Sequence, residues 1–425
     1  MNRYSTYLPL LQEALTSLDD WREGFDSPSD GIRASSPASD AAGADENREM
    51  AAALMELASR LEGNYPFHHA RYAGQMLKPP HPVAWLAYAL TMTVNPNNHA
   101  LDGGPPTSAM EKDVVAKLAE MVGFSPFLGH LTSGGTIANL EALWIARELH
   151  PGKGIAHSGE SHYTHERMSR VLGMESHAID LLSGTDKAVY ELERLRDRVG
   201  TLVVTLGTTG RGLVEPLHEL LPAARKLGIR IHVDAAYGGF HALIAGELGL
   251  DPEPWKAVSE ADSLVIDPHK HGLQPYGCGC VLFRDPSVGV HYRHDSPYTY
   301  FTSNELHLGE ISLECSRAGA SAAALWATLR VLPLRRHTGL GAILADCRRA
   351  ALDLAGMIRK DSRWVLFEEP ALDIVTWFPS LSSRDPEAIS NASSAWFDRK
   401  MRDRTSPWFV SLMQVPVSEL ARLHP

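Results

Sequence analysis

The sequence predicts an α/β protein: a large domain on a mostly parallel sheet, followed by a small α+β C-terminal domain. Three observations carry that reading. From about Met110, short β-rich runs alternate with helix-length stretches, and a glycine turn at Ser133–Gly134–Gly135 opens one of those helices. Beyond Leu332 the pattern changes to long helices and scattered short strands. Strands that alternate with helices imply a parallel sheet covered on both faces.

The elements follow in order. Residues 1–25 hold an amphipathic helix, Tyr4 to Trp21, with Leu8, Leu11, Leu15 and Leu18 on one face. Residues 26–47 are rich in Ser, Ala, Asp, Gly and Pro, bury little apolar surface, and read as a flexible linker. Residues 48–109 combine a helix over Arg48 to Leu61 with a Pro-, Asn- and His-dense irregular stretch and an apolar helix near Val83 to Thr93. The large domain, 110–335, begins with helices at Glu111–Val122 and Thr136–Glu148. Its strands are Leu202–Leu206, Arg230–Val233, Ser263–Ile266 and Cys280–Phe283, with helices at Glu166–Leu172, Glu191–Arg198 and Pro216–Leu227, and a long one at Ala318–Leu332. The small domain, 336–425, has a helix near Leu340–Ile358, strands at Trp364–Phe367, Asp373–Phe378 and Trp408–Leu412, and a helix at Ser393–Met401. No internal repeat is visible.

Composition narrows the function classes. Apolar residues make up 44% of the 425 and charged residues 21%, ordinary for a soluble globular protein. Acidic residues outnumber basic ones, 51 to 40, for a formal charge of −11. With no concentrated Lys/Arg stripe, nucleic acid is not an expected partner. No run of about 18 apolar residues is present, so no membrane span is expected. Met1 to Leu15 lacks the apolar core of a secretory signal. The four cysteines, Cys278, Cys280, Cys315 and Cys347, suggest reduced thiols and a cytoplasmic setting. Cys278–Gly279–Cys280 has no second pair at zinc-like spacing, so no metal is expected there.

Four features fall where α/β enzymes place ligands, in loops after strand ends. Thr132–Ser133–Gly134–Gly135–Thr136 opens a helix, and its glycines let backbone N–H groups approach an anion such as phosphate. Alone it equally fits a plain capped turn, since it lacks a P-loop lysine and the full dinucleotide glycine pattern. His232–Val233–Asp234–Ala235–Ala236 ends a buried strand; a carboxylate there can keep a pyridine nitrogen protonated, making the ring an electron sink. Alone, Asp234 reads as a loop cap. Asp267–Pro268–His269–Lys270 follows the next strand, and a lysine among Pro268, Pro275 and Tyr276 can serve as an amine nucleophile where most lysines are solvated charges. Ser161–His162–Tyr163 offers an imidazole that can stack on a flat ligand, although a lone histidine is most often structural.

In this order the features coincide with a known pattern. From roughly Tyr65 to Leu332 the chain resembles the group II pyridoxal 5′-phosphate (PLP)-dependent decarboxylases, of the fold-type I, aspartate-aminotransferase-like architecture. The matching motifs are Thr132–Thr136, Ser161–Tyr163, the Gly-Thr-Thr turn Gly207–Thr209, His232–Ala236 and Pro268–Lys270. The resemblance implies that Lys270 links covalently to PLP, Asp234 pairs with the pyridine nitrogen, and His162 stacks on the ring. It implies phosphate binding by Gly135 and Thr136 with neighbours Ser133 and Gly134, aided by His269. Thr209 would lie near the ring oxygen and Ala236 against the other ring face. A loop, His294 to Gly309, contains Tyr298 and Tyr300; family members use such a tyrosine to protonate the carbanion, often in the partner subunit's site, and either residue could serve here. Arg317 matches an arginine near the entrance or phosphate, and equally reads as a brace.

The resemblance thus implies α-decarboxylation of an L-amino acid to an amine and CO2 by a homodimer with shared active sites. Rival readings are a PLP-dependent carbon–carbon lyase, an oxidatively deaminating aldehyde synthase, and a non-catalytic PLP-binding protein. Metal-dependent hydrolysis through His68–His69 or His269/His271 lacks a His-Glu-x-x-His segment. Three departures stand out: Ile137 replaces the usual Glu, Glu215–Pro216 replaces Asp-Pro, and the sequence reaches Pro425 without the family's further strand and helix. The last points to a shortened relative or a truncated chain.

Overall fold

A computed structural model describes residues 4–23, 40–74, 76, 78–293, 312–382, 385–403 and 408–419. The backbone divides into two compact units, Met1–Leu77 with Asp398–Ser411, and Lys78–Phe397 with Leu412–Pro425.

The first unit holds a short 3-10 turn, Tyr4–Tyr7, then α1 (Leu8–Glu23) and α2 (Asp40–Leu61). α2 starts eight residues before the Arg48 expected from periodicity, within the segment read as linker; the stretch from Asp40 to Asn47 is rich in alanine and acidic residues, which suit a helix N-terminus. Tyr65, Phe67, Tyr72 and Phe409 form an aromatic cluster with ring centroids 5.0–6.4 Å apart. The strand expected at Trp408–Leu412 reduces to a single bridge between Tyr72 and Phe409.

The second unit carries a seven-stranded sheet in the order β1-β7-β6-β5-β4-β2-β3. Its strands are β1 (Leu128–Thr132), β2 (Gly154–Ser158), β3 (Ser176–Ile179), β4 (Val199–Thr205), β5 (Arg230–Asp234), β6 (Ser263–Ile266) and β7 (Gly279–Phe283). β2, β3, β4, β5 and β6 pair parallel; β7 runs antiparallel to both β6 and β1, so β1 shares their direction. β4 through β7 are buried almost throughout, as strands covered on both faces must be. β1, β2 and β3 escaped the sequence reading because Leu-Gly-His-Leu-Thr, Gly-Ile-Ala-His-Ser and Ser-His-Ala-Ile have little β-branched content; neighbouring strands and not propensity hold them.

Helices connect the strands: α3 (Pro82–Met92), α4 (Pro105–Val122), α5 (Gly135–Leu149), α6 (Thr164–Val171), α7 (Thr185–Leu195), α8 (Leu217–Lys226) and α9 (Glu253–Ala257). α5 lays Ala138, Ala142 and Ile145 on Val265 of β6 and Val281 and Phe283 of β7. Its Leu143 packs with Ile155, Val203 and Met168. Small residues on that face bring the helix axis close to the strand ends, which places its N-terminus beside the β6 loop.

After the sheet come α10 (Gly319–Val331) and α11 (Leu340–Lys360), then a two-stranded antiparallel sheet of β8 (Trp364–Leu366) and β9 (Trp377–Pro379), then α12 (Pro386–Arg402). Phe367, Phe378 and Ile389 form its core. The strand expected over Asp373–Phe378 is confined to Trp377–Pro379, because Asp373 turns inward to bond Tyr237.

Candidate active site

The carboxyl ends of β1, β2, β4, β5 and β6 lie along one edge of the sheet, where an α/β fold opens a crevice. A cavity of about 310 Å³ occupies that edge. The turn after β1 forms one wall. Gly134 adopts φ +153°, and a Cβ on Gly135 would lie 2.6 Å from Asp267 Oδ2, so the close approach of this turn to the β6 loop excludes larger residues. No side chain caps α5, which leaves its first N–H groups for an anion. The Ser133 N–H already donates to a carboxylate, Glu314 Oε2, at 2.8 Å.

Asp234, ending β5, forms the floor. Its Oδ2 accepts from His165 Nε2 at 2.8 Å and Asn139 Nδ2 at 3.3 Å, and its Oδ1 accepts from the Ala236 N–H at 3.1 Å. Burial alone would raise its pKa; the His165 hydrogen bond and the positive charge of His165 and Lys270 outweigh burial and hold it below the usual carboxylate range. Asn139 is itself oriented. Burial pushes the pKa of His232 down to about 3, so its ring is neutral; Nε2 meets Asn139 Oδ1 at 2.8 Å and Nδ1 meets Ser263 Oγ at 2.9 Å. An amide oxygen only accepts, so Nε2 carries the proton, Ser263 donates to Nδ1, and Asn139 must turn its NH2 toward Asp234.

His162 follows β2. Its Nδ1 accepts the Thr164 N–H at 3.2 Å, which puts the ring proton of the neutral form on Nε2; burial lowers its pKa. In the β6 loop, Lys270 Nζ lies 3.1 Å from Asp267 Oδ2, and His269 Nε2 lies 3.5 Å from the same oxygen. Tyr276 stacks on His269 with centroids 4.8 Å apart. Beside β4, Glu215 is fully buried: Oε2 accepts the Thr205 N–H at 2.6 Å, and Oε1 meets the Ser158 hydroxyl. Burial pushes its pKa up to about 7.

The residues present fit PLP. Asp267 Oδ1 and His269 Nδ1 are buried without a hydrogen-bond partner at the glycine-turn end of the cavity. An uncapped helix end accepts a phosphate, an ionised carboxylate at the floor accepts a pyridinium, and an amine lies between them.

Ser133, Gly134, Gly135 and Thr136 line this cavity, as do His162, Thr209, Asp234, Ala236, His269 and Lys270, so the fold gathers every residue the sequence nominated for the cofactor. Tyr298 and Tyr300 lie outside the described residues. Arg317 is not among the cavity's lining residues. It is a buried brace whose Nη1 donates to Glu111 Oε1 at 2.6 Å and Leu131 O at 2.5 Å, and whose Nη2 donates to Asn98 O at 3.0 Å. Its Nη1 and Nη2 are thus directed to α4, β1 and the segment before α4. Sequence reasoning gave no role to Asn139, His165, Thr205, Tyr237, Asp267 and Tyr276, the last two quoted only as neighbours of Lys270. Asn139 stands one turn beyond Thr136 in α5, a spacing that puts the two on the same face, and His165 lies in the first turn of α6, just after the His162 loop.

A family model described as the pyridoxal-dependent decarboxylase conserved domain matches residues 68–378. The chain is 28% identical to an L-tyrosine decarboxylase of Enterococcus faecium over 81% of this chain and 75% of that protein. It is 31% identical to a probable L-tyrosine/L-aspartate decarboxylase of Methanoculleus marisnigri, covering 64% of this chain and 72% of that one. Among solved structures, mouse CSAD superposes with a TM-score of 0.76 at 20% identity, over 83% of this chain and 79% of that one. Oryza sativa TDC with PLP and tryptamine superposes with a TM-score of 0.78 at 16% identity, over 97% and 92%.

Proposed function

We propose, from the premise that this chain belongs to the family of pyridoxal-dependent decarboxylases, a role for each residue of the cavity in the reaction. The enzyme is a PLP-dependent decarboxylase that removes the carboxylate of an L-amino acid. One observation carries the assignment of the site: Lys270 and the ionised Asp234 line a single cavity at the strand ends.

Lys270 would hold the cofactor through its amine. The turn Ser133–Thr136 and His269 would hold the phosphate, and Thr209, Ala236 and His162 would hold the ring. Bound there, PLP supplies an electron sink for the pair left at Cα when CO2 departs. Asp234 keeps the proton on the pyridine nitrogen; His165 and Asn139 hold the carboxylate in place, and His232 and Ser263 hold Asn139. Tyr298 or Tyr300 would return a proton to Cα of the substrate.

The substrate we assign is tyrosine or aspartate, the two amino acids named for the relatives. The PLP-loaded protein should release CO2 and the matching amine from at least one of them; release from neither, with turnover of other amino acids, overturns the substrate, and no turnover on any overturns the site. Loss of CO2 release with Tyr298→Phe or Tyr300→Phe would name the proton donor.

We further propose a cytoplasmic homodimer. No described helix is long and apolar enough to cross a membrane. Cys278 and Cys280 are buried free thiols. On α2, Met50, Leu54, Leu57 and Leu61 are each about half exposed or more, at the spacing of one helix face, which supports a second copy as partner. Replacing Leu54 and Leu57 by Glu should halve the mass measured by light scattering; a wild-type protein that is already monomeric refutes the dimer.

A further inference from the structure

We propose that His241, His271 and Asp373 form a site for one divalent cation of the zinc type, behind the wall that carries Lys270. His241 lies in the 3-10 helix Gly239–Ile244 after β5, His271 directly follows Lys270, and Asp373 stands in the loop between β8 and β9. One ligand atom from each lies within 4.8 Å of the others. Sequence spacing weighed His271 only with His269 and found no metal pattern; the fold supplies partners about 30 and 100 positions away.

The hydrogen bonds around the three side chains are those that metal ligands need. His271 Nδ1 lies 3.0 Å from the carbonyl oxygen of Tyr237, which only accepts, so Nδ1 carries a proton. In the neutral ring, Nε2 is then bare, and it faces Asp373 Oδ2 at 3.0 Å. Asp373 Oδ1 is held separately by the Tyr237 hydroxyl at 2.5 Å. A histidine fixed by a backbone carbonyl and a carboxylate fixed by a hydroxyl are the outer-shell arrangement that sets tautomer and orientation at metal centres.

His241 supplies the second observation. It is fully buried, and neither ring nitrogen has a hydrogen-bond partner. Its ring nitrogens thus face a site that gives them no protein donor or acceptor. Two imidazoles and one carboxylate make a zinc set, with bonds of about 2.0–2.2 Å; closing onto an ion asks for side-chain shifts of roughly an ångström.

A competitor is present. Lys78 Nζ lies 3.5 Å from Asp373 Oδ2, on a side chain 29% exposed that can turn to solvent. The opposing account is an imidazolium and an ammonium sharing Asp373 with no metal at all. An ion would pin the β8–β9 loop to the turn of Lys270 and to Tyr237, which lines the cavity. It is a positioning element, not a reactant.

The test uses the full-length, PLP-loaded protein, given one equivalent of zinc, dialysed against zinc-free buffer and assayed by elemental mass spectrometry. One zinc per chain is expected in the wild type and in Lys270→Ala, which separates this site from the cofactor reading. None is expected in His241→Ala or Asp373→Asn, Lys78→Met should lose zinc to a chelator more slowly, and Tyr237→Phe should bind about 10-fold more weakly. If the histidine and aspartate variants fail to fold, cobalt-loaded wild type decides: paramagnetically shifted ring signals from two histidines support the site, and their absence overturns it. A wild type that retains no zinc, or a folded His241→Ala that retains as much, also overturns it.

Discussion

Asp234 and Glu215 are both fully buried carboxyls at the active-site edge of the sheet, and burial leaves them in opposite states. Asp234 meets a histidine nitrogen and an amide NH2 on one oxygen and a backbone N–H on the other, with Lys270 nearby, and stays ionised. Glu215 meets one backbone N–H and one hydroxyl, with Asp234 and Glu160 adding negative potential, and its pKa rises to about 7. Desolvation acts on both; the number and charge of the donors decides the outcome. The same edge of the sheet therefore keeps one carboxylate charged while the pKa of a second nearby carboxyl is raised to about 7.

The largest expected effect comes from removing the charge at the floor. Asp234→Asn keeps the shape and should lower kcat/KM by roughly 10²–10³-fold, as loss of a preorganised charge does. Steady-state kinetics with saturating PLP would measure it, and a drop of under threefold would mean that Asp234 only caps its loop.

Glu215 gives the next effect, in stability. Its folded pKa of about 7 lies above the ordinary 4.5, so between those values the folded state binds the extra proton. The stability it lends is fully present below 4.5 and is lost as pH rises through 7, by up to about 3 kcal/mol. Glu215→Gln should remove that part of the slope, seen as a smaller difference between urea midpoints at pH 5 and pH 8. An unchanged difference would show that Glu215 ionises without cost.

Smaller still is Asn139→Ala. It deletes one donor to Asp234 and strands His232 Nε2, and should cost about 1–3 kcal/mol of stability and roughly 10-fold in activity. If activity falls while the pH dependence of the bound cofactor's absorbance stays put, Asn139 supports the fold and not the charge of Asp234.

The same contrast explains what the sequence disclosed. Asp234, His162, His269 and Lys270 sit in short contiguous motifs, so the order of those motifs along the chain was enough to find them. Asn139 and His165 needed the helix face and the strand end to be known together. Glu215 was visible as a departure from the family, but its raised pKa comes from burial that only the folded chain creates, with Asp234 adding to it and Ser158 and Thr205 opposing it. Asp373 was read as part of a strand, and only the folded chain brings it to His271 and Tyr237. Arg317 shows the converse: a family match in sequence, spent in the structure on Glu111 and two carbonyls.

The central claim is that one amine in this cavity carries the cofactor. Reducing the PLP-loaded protein with borohydride, digesting it and sequencing the peptides by mass spectrometry tests this directly. The account predicts a stable pyridoxyl group on Lys270 alone, and none on the Lys270→Ala protein. A pyridoxyl group on another lysine of the wild type, with Lys270 unmodified, would contradict it.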